Sequence, residues 1–234
     1  MPGNAQVHTD FDRRQFLHNA LSSTLAGVAA QVGIGVAAPQ MLQAQTNLSP
    51  DAAMQELLTG NQRFADNQLT SLEHDLAILK AHTVAKQEPF AAVLSCADSR
   101  VPVELLFDQT IGHIFVTRVA GNIVTPEIIA SLEYGVAVLG IKALLVLGHT
   151  SCGAVKAAMK AETVPGQISV LYQHLQPAVR ESGGDLDKAV ESNATLQSEL
   201  LRSSSTVIRE AAKAGQLKVA AGVYDLATGK VSLI

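Results

Sequence analysis

The apolar positions of the chain fall into two alternating rhythms. Short apolar runs at residues 90–95, 113–119, 142–148 and 217–224 are each bounded by Gly, Pro or polar residues, which predicts strands buried on both faces. Between and around them, residues 126–139, 153–161, 168–179 and 186–214 carry apolar positions at helical spacing. Strands alternating with helices imply an α/β fold with a central, mostly parallel sheet and helices on both faces. The stretch Asp225-Leu226-Ala227-Thr228-Gly229-Lys230 predicts a turn leading into residues 231–234, a hairpin that adds an antiparallel edge strand. Ahead of this core, Ser49-Pro50-Asp51 opens a helix, with Ser49 as N-cap, Pro50 in the first turn and Ala52, Met54, Leu57 and Leu58 as its apolar positions. A second helical pattern covers residues 69–84. The expected organisation is thus an N-terminal helical arm over residues 45–89 and an α/β core over residues 90–234.

Composition narrows the range of partners. With 234 residues, 47% of them hydrophobic, the chain can bury a sizeable core. A net charge of -4 without any run of Lys or Arg leaves no footprint for nucleic acid or for an anionic membrane surface. A small-molecule partner is the expectation. Aromatic residues make up only 4% and Trp is absent, so the interior must be built from Ala, Val, Leu and Ile.

The first 44 residues are set apart from the fold. Asp12-Arg13-Arg14-Gln15-Phe16-Leu17-His18 precedes an uncharged stretch rich in Ala, Gly and Ser, an order that resembles a twin-arginine export signal. Its mild hydropathy suits a cleaved signal better than a stable membrane span. Cleavage near Ala38 or Ala44 and delivery to the periplasm of a Gram-negative bacterium are the expectations.

The candidate chemistry sits where two of the apolar runs end. The chain has two cysteines. One stands in Val93-Leu94-Ser95-Cys96-Ala97-Asp98-Ser99-Arg100-Val101-Pro102, where alternation places Cys96, Asp98 and Arg100 on one side if the strand continues that far. The other stands in Gly148-His149-Thr150-Ser151-Cys152-Gly153, three residues beyond a histidine. Ligands of open parallel sheets bind outside the carboxyl ends of the strands, so adjacent strands would bring Cys96, His149 and Cys152 together. Two thiolates and an imidazole suit zinc, and three protein ligands leave a fourth place for water. Two other readings of the same residues stand beside this one: a Cys96–Cys152 disulfide, which an exported protein could form, and plain burial of Cys96 and His149 in the core. Gly153 opens a helix whose amides suit the charge of an anion. Val101, Val119 and Ala120 could supply a dry wall, and no role is assigned to His113 or His174.

Five motifs in order carry a family resemblance: Cys96-Ala97-Asp98-Ser99-Arg100-Val101-Pro102, Phe115-Val116-Thr117-Arg118-Val119-Ala120-Gly121-Asn122, Ser131-Leu132-Glu133-Tyr134-Gly135, Gly148-His149-Thr150-Ser151-Cys152-Gly153-Ala154, and Gly222-Val223-Tyr224-Asp225-Leu226-Ala227-Thr228-Gly229. Together they resemble the β class of carbonic anhydrases, colinearly from about Asp51 to the end. The resemblance implies reversible hydration of carbon dioxide to bicarbonate and a proton, one zinc ion per subunit on Cys96, His149 and Cys152, and a homodimer as the minimal unit. It further implies a dyad in which Arg100 holds Asp98 and Asp98 orients a zinc-bound hydroxide. In some members the equivalent aspartate becomes the fourth zinc ligand of a closed state, which makes Asp98 a candidate ligand too. Gln109 resembles the position that presents an amide to substrate across the dimer interface. The same scaffold would also suit hydrolysis of carbon disulfide or carbonyl sulfide, and a zinc-carrying binding protein with an idle dyad is the rival from another class.

Overall fold

Residues 46–74 and 76–234 are described by a computed structural model; the candidate leader at residues 1–44 lies outside them. Among the described residues five strands form one sheet: β1 (Ala91–Ser95), β2 (Ile114–Arg118), β3 (Ala143–His149), β4 (Lys218–Tyr224) and β5 (Val231–Leu233). Their order is β2-β1-β3-β4-β5, the first four parallel and β5 antiparallel to β4. The hairpin at the edge forms because the Asp225 side chain accepts from the amides of Ala227 and Thr228, closing the turn on itself.

Eight α-helices surround the sheet: α1 (Pro50–Ala65), α2 (Leu76–Thr83), α3 (Val103–Leu106), α4 (Pro126–Ala137), α5 (Gly153–Lys160), α6 (Val170–Glu181), α7 (Leu186–Ser204) and α8 (Thr206–Lys213) among the described residues. Alternation along the two central strands decides which helices cover which face. Ala91, Val93, Ala143, Leu145 and Leu147 pack with Ala53, Met54 and Leu57 of α1. Ala92, Leu94, Leu144 and Val146 point the other way, onto Leu132 and Val136 of α4 and Ile208 and Ala211 of α8. Because both faces are covered, β1 and β3 are buried at every position, which explains why they read as unbroken apolar runs rather than as alternating ones. None of the described helices is long and apolar enough to cross a membrane.

Three stretches depart from the periodicity. The pattern over residues 69–84 resolves into a single turn at Ser71–Glu73 followed by α2. The long pattern over residues 186–214 is two helices, because Ser205 stands between them in an extended conformation. Its hydroxyl accepts from the Ile208 amide, capping α8, and donates to Glu133 at 2.6 Å. The one-turn helix α3 carries no periodic signal at all. In α1, Gly60 is required by contact: a Cβ there would lie 1.9 Å from the Phe107 carbonyl oxygen.

Candidate metal centre

The strand order runs one way from β1 to β2 and the other way from β3 to β4. Such a reversal opens a crevice at the carboxyl ends of the two strands where it occurs, and here those strands carry the candidate ligands. Ser95 pairs in register with Leu147, so Cys96 leaves the sheet as β3 runs two residues further to His149. The chain then turns sharply. The Thr150 amide donates to the Tyr224 carbonyl and the Leu226 amide donates to the Thr150 hydroxyl. Ser151, at φ 57°, reverses the direction of the backbone, and Cys152 becomes the N-cap of α5. Cys96, His149 and Cys152 are all buried, at 4%, 0% and 1% exposure.

The donor atoms of these three residues lie within 4.8 Å of one another. The two sulfurs are 4.0 Å apart. That is about twice a disulfide bond and close to the roughly 3.8 Å that two thiolates span on one tetrahedral zinc. Both thiols are free. The His149 Nδ1–H donates to the Thr150 carbonyl at 2.9 Å; a carbonyl can only accept, so the other ring nitrogen carries the lone pair. That Nε2 is buried and has no hydrogen-bond partner. An orphaned buried acceptor beside two thiols is unusual for packing residues, and it is what a metal would satisfy. The residues fit zinc. The two sulfurs titrate as a pair: the bond between them draws the Cys96 value well down, while the same bond and burial push Cys152 up.

Asp98 and Arg100 come together through a turn, not along a strand. β1 stops at Ser95, and the Val101 amide reaches back to the Asp98 carbonyl. The Asp98 carboxylate then accepts from the Arg100 amide at 3.0 Å, from its Nε at 2.9 Å and from its Nη2 at 2.7 Å. This fork holds the Asp98 carboxyl well below the usual carboxylate range, against a smaller opposing effect of burial. Asp98 Oδ2 lies 3.8 Å from His149 Nε2, so the dyad borders the trio while both its oxygens stay engaged by Arg100. Arg100 also reaches the Ser151 carbonyl at 3.5 Å, tying the two ligand-bearing turns together.

One residue the motif reading left without a role organises this turn. Arg118, at the end of β2, donates through Nε to the Cys96 carbonyl at 3.0 Å and through Nη2 to the Asp98 carbonyl at 2.6 Å. A single guanidinium thereby fixes the backbone on either side of Ala97. Its position one strand away, at the end of an apolar run, was the available signal. Also unread was the Gly121 amide, which donates to Cys96 Sγ at 3.3 Å.

Other candidates sit elsewhere. The Gln109 amide donates to Glu56 at 3.2 Å and lines a cavity of about 570 Å³ with Leu72, Leu76, Leu105 and Ile111. None of the metal trio lines that cavity. Gly153 has open space where a Cβ would stand, but the following amides of Ala154 and Val155 bear on the Cys152 sulfur. Val101 is fully buried in the core beneath α1, and Val119 and Ala120 are half-buried. His113 precedes β2 and so stands at the opposite end of the sheet.

Comparison with known proteins agrees with this geometry. A family model described as carbonic anhydrase matches residues 91–231. The chain is 34% identical over 199 residues to carbonic anhydrase 2 of Mycobacterium tuberculosis and 36% identical over 197 residues to a carbonic anhydrase of Mycolicibacterium smegmatis. Each alignment covers 80% of this chain and 94% of the relative. Among solved structures it is similar to the Coccomyxa β-carbonic anhydrase in complex with acetazolamide, with a TM-score of 0.60 and 30% identity, covering 76% of this chain and 84% of that one.

Proposed function

This chain belongs to the β class of carbonic anhydrases, and from that premise we propose that Cys96, His149 and Cys152 hold one zinc ion at which Asp98 and Arg100 orient the attacking oxygen. The observation that carries the reading is the buried, unpartnered His149 Nε2 beside two thiols 4.0 Å apart. Zinc, when bound, supplies the Lewis acidity that makes water a nucleophile near neutral pH, a mechanism for which carbonic anhydrase is the standard case.

The residues of the chain supply orientation. An ionised carboxylate accepts and cannot donate. An oxygen beside Asp98 must therefore turn its O–H toward the carboxylate, which leaves a lone pair directed away from it, toward the carbon of carbon dioxide. Arg100 donates to both Asp98 oxygens, which keeps the carboxyl ionised and would hold it back from serving as a fourth ligand. Hydration then forms one C–O bond and releases bicarbonate and one proton. The test is stopped-flow hydration by the zinc-loaded protein and by Asp98→Asn. We expect zinc content to stay at one per chain and kcat/KM to fall about a hundredfold, the usual cost of a misaligned reacting atom. A fully active Asp98→Asn protein would remove the orienting role.

We also propose that the chain works as a homodimer or higher homo-oligomer. β2 has an outer edge without a strand partner among the described residues, and such edges pair readily. Beside it lies the apolar cavity bearing Gln109, with Leu72 71% exposed at its rim. An adjoining chain would cover this surface and meet the Gln109 amide. Light scattering should give a mass of at least two chains, and Leu72→Glu should lower it; a monomeric wild type would exclude the assembly.

A further inference from the structure

Two anionic sulfurs leave a bound ion a weaker Lewis acid than neutral ligands would, so groups that draw charge from those sulfurs tune the centre. Gly121 is such a group, because its amide donates to Cys96 Sγ. The bond depends on an unusual backbone. Gly121 lies at φ 77° in the turn Ala120–Asn122, and a Cβ there would press on Leu175 and Ala154 at 3.2 to 3.4 Å. What aims the turn comes from α7. Asn193, 1% exposed, donates through Nδ2 to the Gly121 carbonyl at 2.9 Å. Gln197, one helical turn later and 4% exposed, accepts from the Val124 amide at 2.7 Å. Its own amide nitrogen donates to Asn193 Oδ1 and to the His174 carbonyl of α6, both at 3.2 Å. Both ends of the loop are thus held by two buried amides that hold each other, on a helix face whose other buried residues are Ala189, Val190, Ala194, Ser198 and Leu201. Buried amides at four-residue spacing are costly unless fully bonded, and here every bond they make serves the loop or its support.

We propose that Asn193 and Gln197 are positioning residues of the metal centre, which hold residues 120–124 so that the Gly121 N–H stays on the Cys96 sulfur. The inference rests on the zinc reading above. It assigns α7 a share in the electronics of a ligand that it does not touch.

The test is NMR of the 15N-labelled protein loaded with 113Cd in place of zinc, where a scalar coupling between cadmium and an amide proton reports an N–H···S bond directly. We expect this coupling for Gly121 in the wild type and in Ser198→Ala, which alters a buried polar residue of α7 without touching the loop. Asn193→Leu and Gln197→Met should each lose at least half of it while still binding one cadmium per chain. Should Asn193→Leu fail to fold, Gln197→Met decides alone. A coupling that keeps its wild-type size in the folded variants, whatever their melting temperature, overturns the inference, as does its absence from the cadmium-loaded wild type. Failure of the zinc reading would look different, since the wild type would then take up no cadmium at Cys96 and Cys152.

Discussion

Replacing His149 with alanine is expected to leave the purified protein without zinc and to lower carbon dioxide hydration to the rate of buffer alone. The reason is the division of labour inside the trio. His149 is the neutral ligand, and its tautomer is set by the bond from Nδ1 to the Thr150 carbonyl. Without the ring, zinc would keep two thiolates on separate turns and, in place of an imidazole, a carboxylate already held by Arg100 beside them. Loss of an outer hydrogen bond to a ligand already weakens metal binding about 10 to 100-fold, and loss of the ligand itself must exceed that. The check pairs metal analysis with stopped-flow hydration on protein purified without chelator. Circular dichroism of the variant beside chelator-treated wild type separates metal loss from unfolding. One zinc per chain and an unchanged rate in His149→Ala would mean that the ion, if bound, sits elsewhere.

The trio was legible in the sequence because each ligand lies at an end that local rules can find. Cys96 and His149 close apolar runs buried on both faces, and the parallel sheet implied by the alternation of strands and helices makes those ends converge. The pairing of Asp98 with Arg100 was legible for a reason that the structure replaces. Alternation put them on one side of a strand, whereas a turn closed by the Val101 amide brings them together. Arg118, Asn193 and Gln197 were not legible, because a buried polar residue chooses its partners in three dimensions. Arg118 meets carbonyls 20 and 22 positions away, and Asn193 meets one 72 positions away. The break at Ser205 was hidden for the opposite reason. Apolar residues continue across it at Leu201, Ile208 and Ala211, so periodicity alone reads one helix, and only the cap bonds made by the Ser205 hydroxyl reveal two.

Asp108→Ala is expected to lower the stability of the zinc-loaded protein by about 3 kcal/mol, the low end of what breaking a buried ion pair costs. The Asp108 side chain is fully buried, and the residue sits at φ 48°, a conformation that aspartate tolerates better than most. Its carboxylate accepts from Arg63 Nε at 2.5 Å, from the Thr70 hydroxyl at 2.9 Å, and from the Thr70 and Ser71 amides at 3.0 and 2.8 Å. These bonds tie α1 and the segment leading to α2 onto the core. Burial raises the Asp108 value, but Arg63 and the Ser71 and Thr70 donors outweigh it and hold the carboxyl well below its usual 3.8. Removing the carboxylate strands those donors. Arg63 is 27% exposed and can turn partly to water, which is why the low end applies. Because the folded value is depressed, this contribution is complete above pH 3.8 and fades as pH falls through the folded value. Urea melts of wild type and variant should therefore differ most at neutral pH and converge in acid. Coincident midpoints at pH 7 would show that the clamp on the N-terminal arm adds nothing to the stability of the core.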